Sequence, residues 1–189
     1  MLSKYLIGLN WVDFLVIGII GRMCFIGIKT GAGIELFKLL SLWFVTIVSF
    51  HTYTTPLSDY LNTKVPALPL DAGDVFVFCV LITVITLLFR VIRESFFLLV
   101  KIEAHNAVDK WVGLLVGALR GFWIASIALF IMTISTVGYL ETSAKCSLIG
   151  HNVLYMAPNI YRGSAEGFIS KIIPAYGQPN EEVFKAVDR

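Results

Sequence analysis

Residues Gly121 to Leu140 run for twenty residues without a charge. A hydrocarbon core about 30 Å thick takes roughly 20 apolar residues as a helix. This stretch therefore reads as a membrane span, and it is not alone. Val75 to Phe89 is uncharged and rich in Val, Ile, Leu and Phe, between Asp71 and Asp74 on one side and Arg90 and Arg93 on the other. Those arginines can snorkel, which extends the span without burying charge. A third candidate runs from about Ile34 to Tyr53, with its apolar core at Leu39 to Phe50. The weakest runs from Trp11 to Ile28, because Arg22 interrupts it. Lys4 ahead of an apolar stretch imitates a targeting signal, but Arg22 splits the apolar region and no small-x-small cleavage site follows. The segment is read as a retained first span.

Composition excludes several other classes. Apolar residues make up 57% and charged residues 15%, which leaves too little polar surface to solvate a small globule. Disorder needs charge and few aromatics, and this chain carries 14 Phe, 7 Tyr and 4 Trp. Three scattered cysteines do not make a disulfide scaffold. A net charge of +2 without a Lys/Arg run gives no field for nucleic acid. Continuous apolar runs argue against a barrel. The expectation is an all-α membrane protein: a bundle of about four transmembrane helices with an interfacial helical segment and a short amphipathic C-terminal tail. The lipid bilayer is its first partner.

Two parts are expected, a membrane domain over 1–140 and a polar tail over 141–189. The loop at 54–73 holds Pro56, Pro66 and Pro69 and reads as a turn-rich connection. In 90–110, Val91, Ile92, Phe96, Leu99 and Val100 fall near one helical face. That suits a third helix continuing past the membrane along the interface, with a longer tilted span as the alternative. In the tail, Phe168, Ile169, Ile172 and Ile173 repeat at helical spacing behind a cap expected at Ser164, with Pro174 as the stop. Val183, Phe184 and Val187 repeat the pattern weakly.

Four spans put the tight turn near 29–33 and the segment 90–110 on one side. Lys29, Arg90, Arg93, Lys101 and Lys110 lie there, against Lys4, Lys64 and Lys145 near the membrane on the other side. The positive-inside bias then places both termini outside.

The most specific pattern is Asp109-Lys110-x-x-Gly113-x-x-x-Gly117-x-x-Arg120-Gly121. Three glycines four apart lie on one helix face, where another backbone can approach closely. The first half echoes it with Asp13, Gly21, Gly27-x-x-x-Gly31 and Glu35. Both glycine stripes should meet at the inner ends of spans one and four, with Lys29, Glu35, Asp109 and Arg120 gathered at that depth as ion pairs. The residues expected to form a helix-contact or partner surface are Gly27, Gly31, Glu35, Asp109, Gly113, Gly117, Arg120 and Gly121. Arg22 is an intramembrane charge that either snorkels or pairs with an acid from another helix.

Catalytic motifs are missing. The sequence has no HExxH, GxSxG or P-loop. His51, His105 and His151 lack ligand-like spacing, so neither metal nor cofactor is expected. Asp13 and Asp109 fall at opposite ends of their helices, which argues against a paired-aspartate protease. Cys24 and Cys79 read as small hydrophobes in spans, and Cys146 stands alone in the tail.

These residues resemble the colicin V production protein (CvpA) family of bacterial inner-membrane proteins. The likeness covers about 10–140. It rests on Trp11-Val-Asp13, Gly21, Gly27, Gly31, Glu35 and Leu39-Leu-Ser-Leu-Trp43, then on Asp109-Lys110, Gly113, Gly117 and Ala118-Leu-Arg120-Gly121. Thr30 stands where the family usually carries an arginine, with Lys29 one position earlier. The resemblance implies four spans, an inner-membrane location and a role in colicin V production, with links to envelope stress. It implies no catalytic residue. The expected function is that of a non-enzymatic accessory protein acting through helix contacts with itself or with a membrane-protein partner. The alternative is a small transporter or channel subunit with Arg22 and Arg120 lining a path. Spans two and three offer such a path only Ser41, Ser49, Thr83 and Thr86.

Overall fold

The computed structural model describes residues 10–53, 63–64, 70–99, 107–135, 137–172 and 178–188. Among them every regular element is helical. Four long helices come first: α1 (Trp11–Thr30), α2 (Ala32–His51), α3 (Leu70–Leu99) and α4 (Ala107–Ile134). All four are long and apolar enough to cross a bilayer. Shorter helices follow: α5 (Gly138–Lys145), α6 (Leu148–Leu154) and α7 (Met156–Ser164). From α7 the chain runs on through a π-helical stretch at Ala165–Ile169 to Ser170–Ile172, and α8 (Glu181–Asp188) closes the fold.

Exposure identifies the solvent. Phe14, Ile17 and Phe25 on α1, Leu36, Leu40 and Phe44 on α2, Val80, Val84 and Leu87 on α3, and Trp111, Leu115 and Leu119 on α4 all stand outward. Each helix thus carries an apolar stripe at three- to four-residue spacing on its free side. Water would not tolerate patches of that extent, and lipid would. Arg22 lies on the same outward side of α1 and forms no ion pair among the described residues.

The span boundaries differ from expectation at α4. The helix starts at Ala107 and ends at Ile134, so the charge-free stretch to Leu140 is not its frame. Asp109, Lys110 and Arg120 belong to the helix, and Gly138 already opens α5. The helix can extend back through these polar residues because Asp109 and Arg120 find partners on α2. Past Arg90, α3 continues unbroken to Leu99. Residues 100–106, most of the 54–69 loop and Pro174 lie outside the described residues.

The tail is not a free appendage. Leu154, Ala157, Tyr161, Val183 and Val187 share one buried core with Val12, Phe50, Phe78, Trp123 and Phe130. Polar bonds fix the docking. Ser126 Oγ on α4 donates to Leu154 O at 2.9 Å and accepts Ala157 N at 2.8 Å. Tyr161 Oη accepts Asn180 N at 2.9 Å and lies 3.1 Å from His51 Nδ1. Burial holds this phenol above the ordinary tyrosine range, hence neutral.

Ser164 does not cap a helix. It sits at the end of α7, where its Oγ donates to Ile160 O and accepts Trp43 Nε1 at 2.8 Å. The helical chain starts eight residues earlier, at Met156, because Pro158 falls in a first turn, where its missing N–H costs nothing.

Candidate functional site: the glycine seam and the buried Glu35–Arg120 pair

Among the described residues, spans α1 and α4 make the most extensive helix pairing, and glycine is the reason. Gly27 and Gly113 face each other so closely that a Cβ on either would collide with the other's carbonyl oxygen. A Cβ on Gly117 would stand 2.7 Å from Met23 O, and one on Gly121 would stand 2.9 Å from Ile20 Cα. Real Cβ atoms do not come that near to backbone. The seam is backbone against backbone over two turns of α4, where dispersion and weak Cα–H contacts replace side-chain packing.

Gly31 then reverses the chain in one residue. Its φ of 77° lies in the left-handed region that disfavours side chains. Its N–H closes α1 on Gly27 O at 3.1 Å, and its carbonyl accepts Glu35 N at 3.3 Å. A glycine cannot cap α2 with a side chain. Asp109 does so from α4: its Oδ1 accepts Ala32 N at 2.9 Å. A carboxylate there satisfies an orphan N–H and meets the positive end of the helix dipole.

One turn into α2, Glu35 is fully buried. A carboxylate can stay ionised there only if its oxygens are paired. Arg120 Nη1 lies 2.6 Å from Oε2, and Lys38 Nζ lies 2.6 Å from Oε1. Thr30 Oγ1 donates to the same Oε1 at 2.6 Å and lies 3.0 Å from Ile26 O. Arg120 is itself 6% exposed, and its Nη2 contacts Met23 Sδ at 3.1 Å. The cluster therefore ties α2 to α4 directly and to α1 through Thr30 and Met23. Thr30 thus supplies a neutral donor beside Glu35 from the last turn of α1.

The structure brings Glu35 and Arg120 into contact, and Asp109 meets the backbone N–H of Ala32 rather than a cation. Lys29 does not join them. Its ammonium turns outward over the Phe25 ring, 4.4 Å from the centroid. Lys38 takes the place assigned to it. The signal was present as Glu35-x-x-Lys38, one helical turn apart.

Beside this pair lies a cavity of about 290 Å³ bounded by all four spans. Lys38, Arg90, Arg93 and Arg120 line it along with apolar side chains. Arg90 and Arg93 share Glu94, at 2.9 and 3.6 Å. No group of three His, Cys, Asp or Glu among the described residues is placed to hold a metal.

Asp13 occupies the opposite end of α1 and has a different task. It is fully buried and accepts Asn10 N at 2.7 Å, Ser147 Oγ at 2.6 Å and Ile149 N at 2.8 Å. Asn10 Nδ2 also donates to Ser143 O at 3.0 Å. The first span thus holds the tail at one end and the ion cluster at the other. The two aspartates never approach each other.

The seam makes a sharp prediction. Gly117→Leu should abolish monodisperse, heat-resistant protein in detergent, because the added side chain meets backbone. Gly18→Leu should not, because a Cβ there meets nothing within 4 Å. Size-exclusion chromatography and thermal unfolding read the difference. Equal behaviour of the two variants contradicts the seam.

The sequence matches the family described as colicin V production protein over residues 12–158. No curated protein and no solved structure matches the chain significantly.

Proposed function

The chain belongs to the colicin V production protein family, and on that premise we propose that it is a non-enzymatic accessory protein of the bacterial inner membrane. Its family supports a membrane accessory role in toxin production. The finer reading is a scaffold that supports peptide export and envelope homeostasis through contacts with itself or a membrane-protein partner. One observation carries it: the buried charged side chains Asp13, Glu35 and Arg120 are engaged in holding helices and tail together. Such an arrangement suits a rigid body that presents surfaces better than one that turns over substrate. The glycines Gly27, Gly113, Gly117 and Gly121 are occupied by the α1–α4 crossing. A partner would therefore meet the outward stripes rather than the seam. A transporter or channel subunit is the second reading, favoured by the cation-lined cavity between the spans.

The test is deletion of the gene in its host, with export of a peptide toxin and sensitivity to envelope stress as readouts. Wild type should restore both. Arg120→Ala, inserted at normal abundance, should not, because Glu35 is left buried with one cation fewer. Full rescue by that variant would remove the cluster from the function.

Orientation follows from the basic residues at the turn end of the bundle, which the positive-inside bias places in the cytoplasm. Both termini and the docked tail would then lie outside. Cys146 is exposed, whereas Cys24 and Cys79 are half-buried in spans. An impermeant thiol reagent should label Cys146 in intact spheroplasts. Labelling only after lysis reverses the orientation.

A further inference from the structure

The cavity between the four spans has an uneven lining. On α2 the lining residues Lys38, Leu42 and Val45 follow one face from the turn end inward. On α3 the charged members Arg90 and Arg93 lie in the last turns of the segment that spans the bilayer. The charged wall is thus at headgroup level, and the apolar wall reaches toward the middle of the membrane. Among the described residues four cations meet two carboxylates, Glu35 and Glu94, which leaves an excess of two positive charges at the site. Arg120 is more than nine-tenths buried, lines the cavity, and keeps a buried Nε without a hydrogen-bond partner among the described residues. Like charges converge on a low-dielectric space only if something anionic relieves them.

We propose that this cavity binds the phosphate headgroup of an anionic membrane phospholipid, with the first carbons of its acyl chains against Leu42 and Val45. A volume of about 290 Å³ holds a phosphoglycerol headgroup but not a whole lipid. The chains must therefore leave along protein surface, and the outward residues Leu40 and Phe44 on α2 and Leu87 and Leu88 on α3 supply an apolar one. Three arginines line the cavity, and their planar, paired N–H donors suit phosphate oxygens. Zwitterionic lipid brings its own cation into a site already positive, so the site discriminates by net charge. Site and ligand follow from the cavity's charge and shape, and they stand whether or not the accessory reading holds.

The experiment uses the full-length protein in mild detergent, titrated with phosphatidylglycerol or phosphatidylcholine and read by native mass spectrometry. Phosphatidylglycerol should bind at least about tenfold more tightly. Arg90→Gln with Arg93→Gln should weaken that binding by about tenfold. Both side chains are partly exposed, so folding should survive, and unchanged helical circular dichroism would verify that. Lys29→Gln with Lys110→Gln removes the same charge outside the cavity lining and should leave binding unchanged. Equal loss in both pairs of variants, or equal binding of the two lipids, overturns the proposal. Glycerol 3-phosphate binding as tightly as the lipid would assign the site to a free phosphate ester and overturn the lipid as its source.

Discussion

Backbone contact between Gly27 and Gly113 is the constraint on which the rest of the structure depends. Lipid gives no hydrophobic drive for one apolar helix to join another. Close approach has to supply the attraction, and only glycine allows it at this distance. Once α1 lies against α4, the depth of every later residue is fixed by helical rise. Arg120 comes one turn beyond the seam's centre, opposite Met23. Asp109 comes two turns before it, opposite the start of α2. The one-residue reversal at Gly31 brings Glu35 back to the same depth.

The ion cluster follows from that geometry and also depends on it. A lone carboxylate within a span would be expensive to insert, and so would a lone guanidinium. Together, with Lys38 and Thr30, they are tolerated. Arg120 can remain inside a helix that spans the membrane because Glu35 is there. The pair still contributes less net stability than its short distances suggest, since both charges lost water to form it. Its larger effect is on specificity: it admits one rotation of α2 against α4 and disfavours the others. At the far end Asp13 does similar work with neutral donors, holding the first turns of α6 against α1. The molecule is therefore clamped at both membrane faces, with apolar contacts between.

Much of this was legible in the residues. Helical type and span number followed from uninterrupted apolar runs. The seam followed from glycines four apart, and the meeting of Glu35 with Arg120 followed from their depth in a four-span topology. The misassignments have physical causes. Lys38 shares α2 with Glu35 and lies one turn away, whereas Lys29 lies on α1 before the Gly31 reversal and turns outward over Phe25. α4 ends at Ile134, six residues before the charge-free run does, because such a run marks what lipid accepts, not where a helix stops. Ser164 has the chemistry of a cap, but tertiary bonds to Trp43 and Ile160 use its hydroxyl instead. The docking of the tail depends on Ser126 and Tyr161, single polar groups whose partners lie tens of residues away. No local pattern announces such pairs.

Glu35 and Arg120 act as one unit that ties α2 to α4 beside the glycine seam. A double-mutant cycle measures that coupling directly. Glu35→Gln, Arg120→Gln and the double variant would be compared with wild type by reversible unfolding in detergent. Each single change should destabilise strongly by leaving an unmatched buried charge, and the double change should recover a large part of the loss. A coupling energy above about 1.5 kcal/mol is the predicted result. Additive effects within about 0.5 kcal/mol would show that the two residues do not hold each other, and would contradict the account.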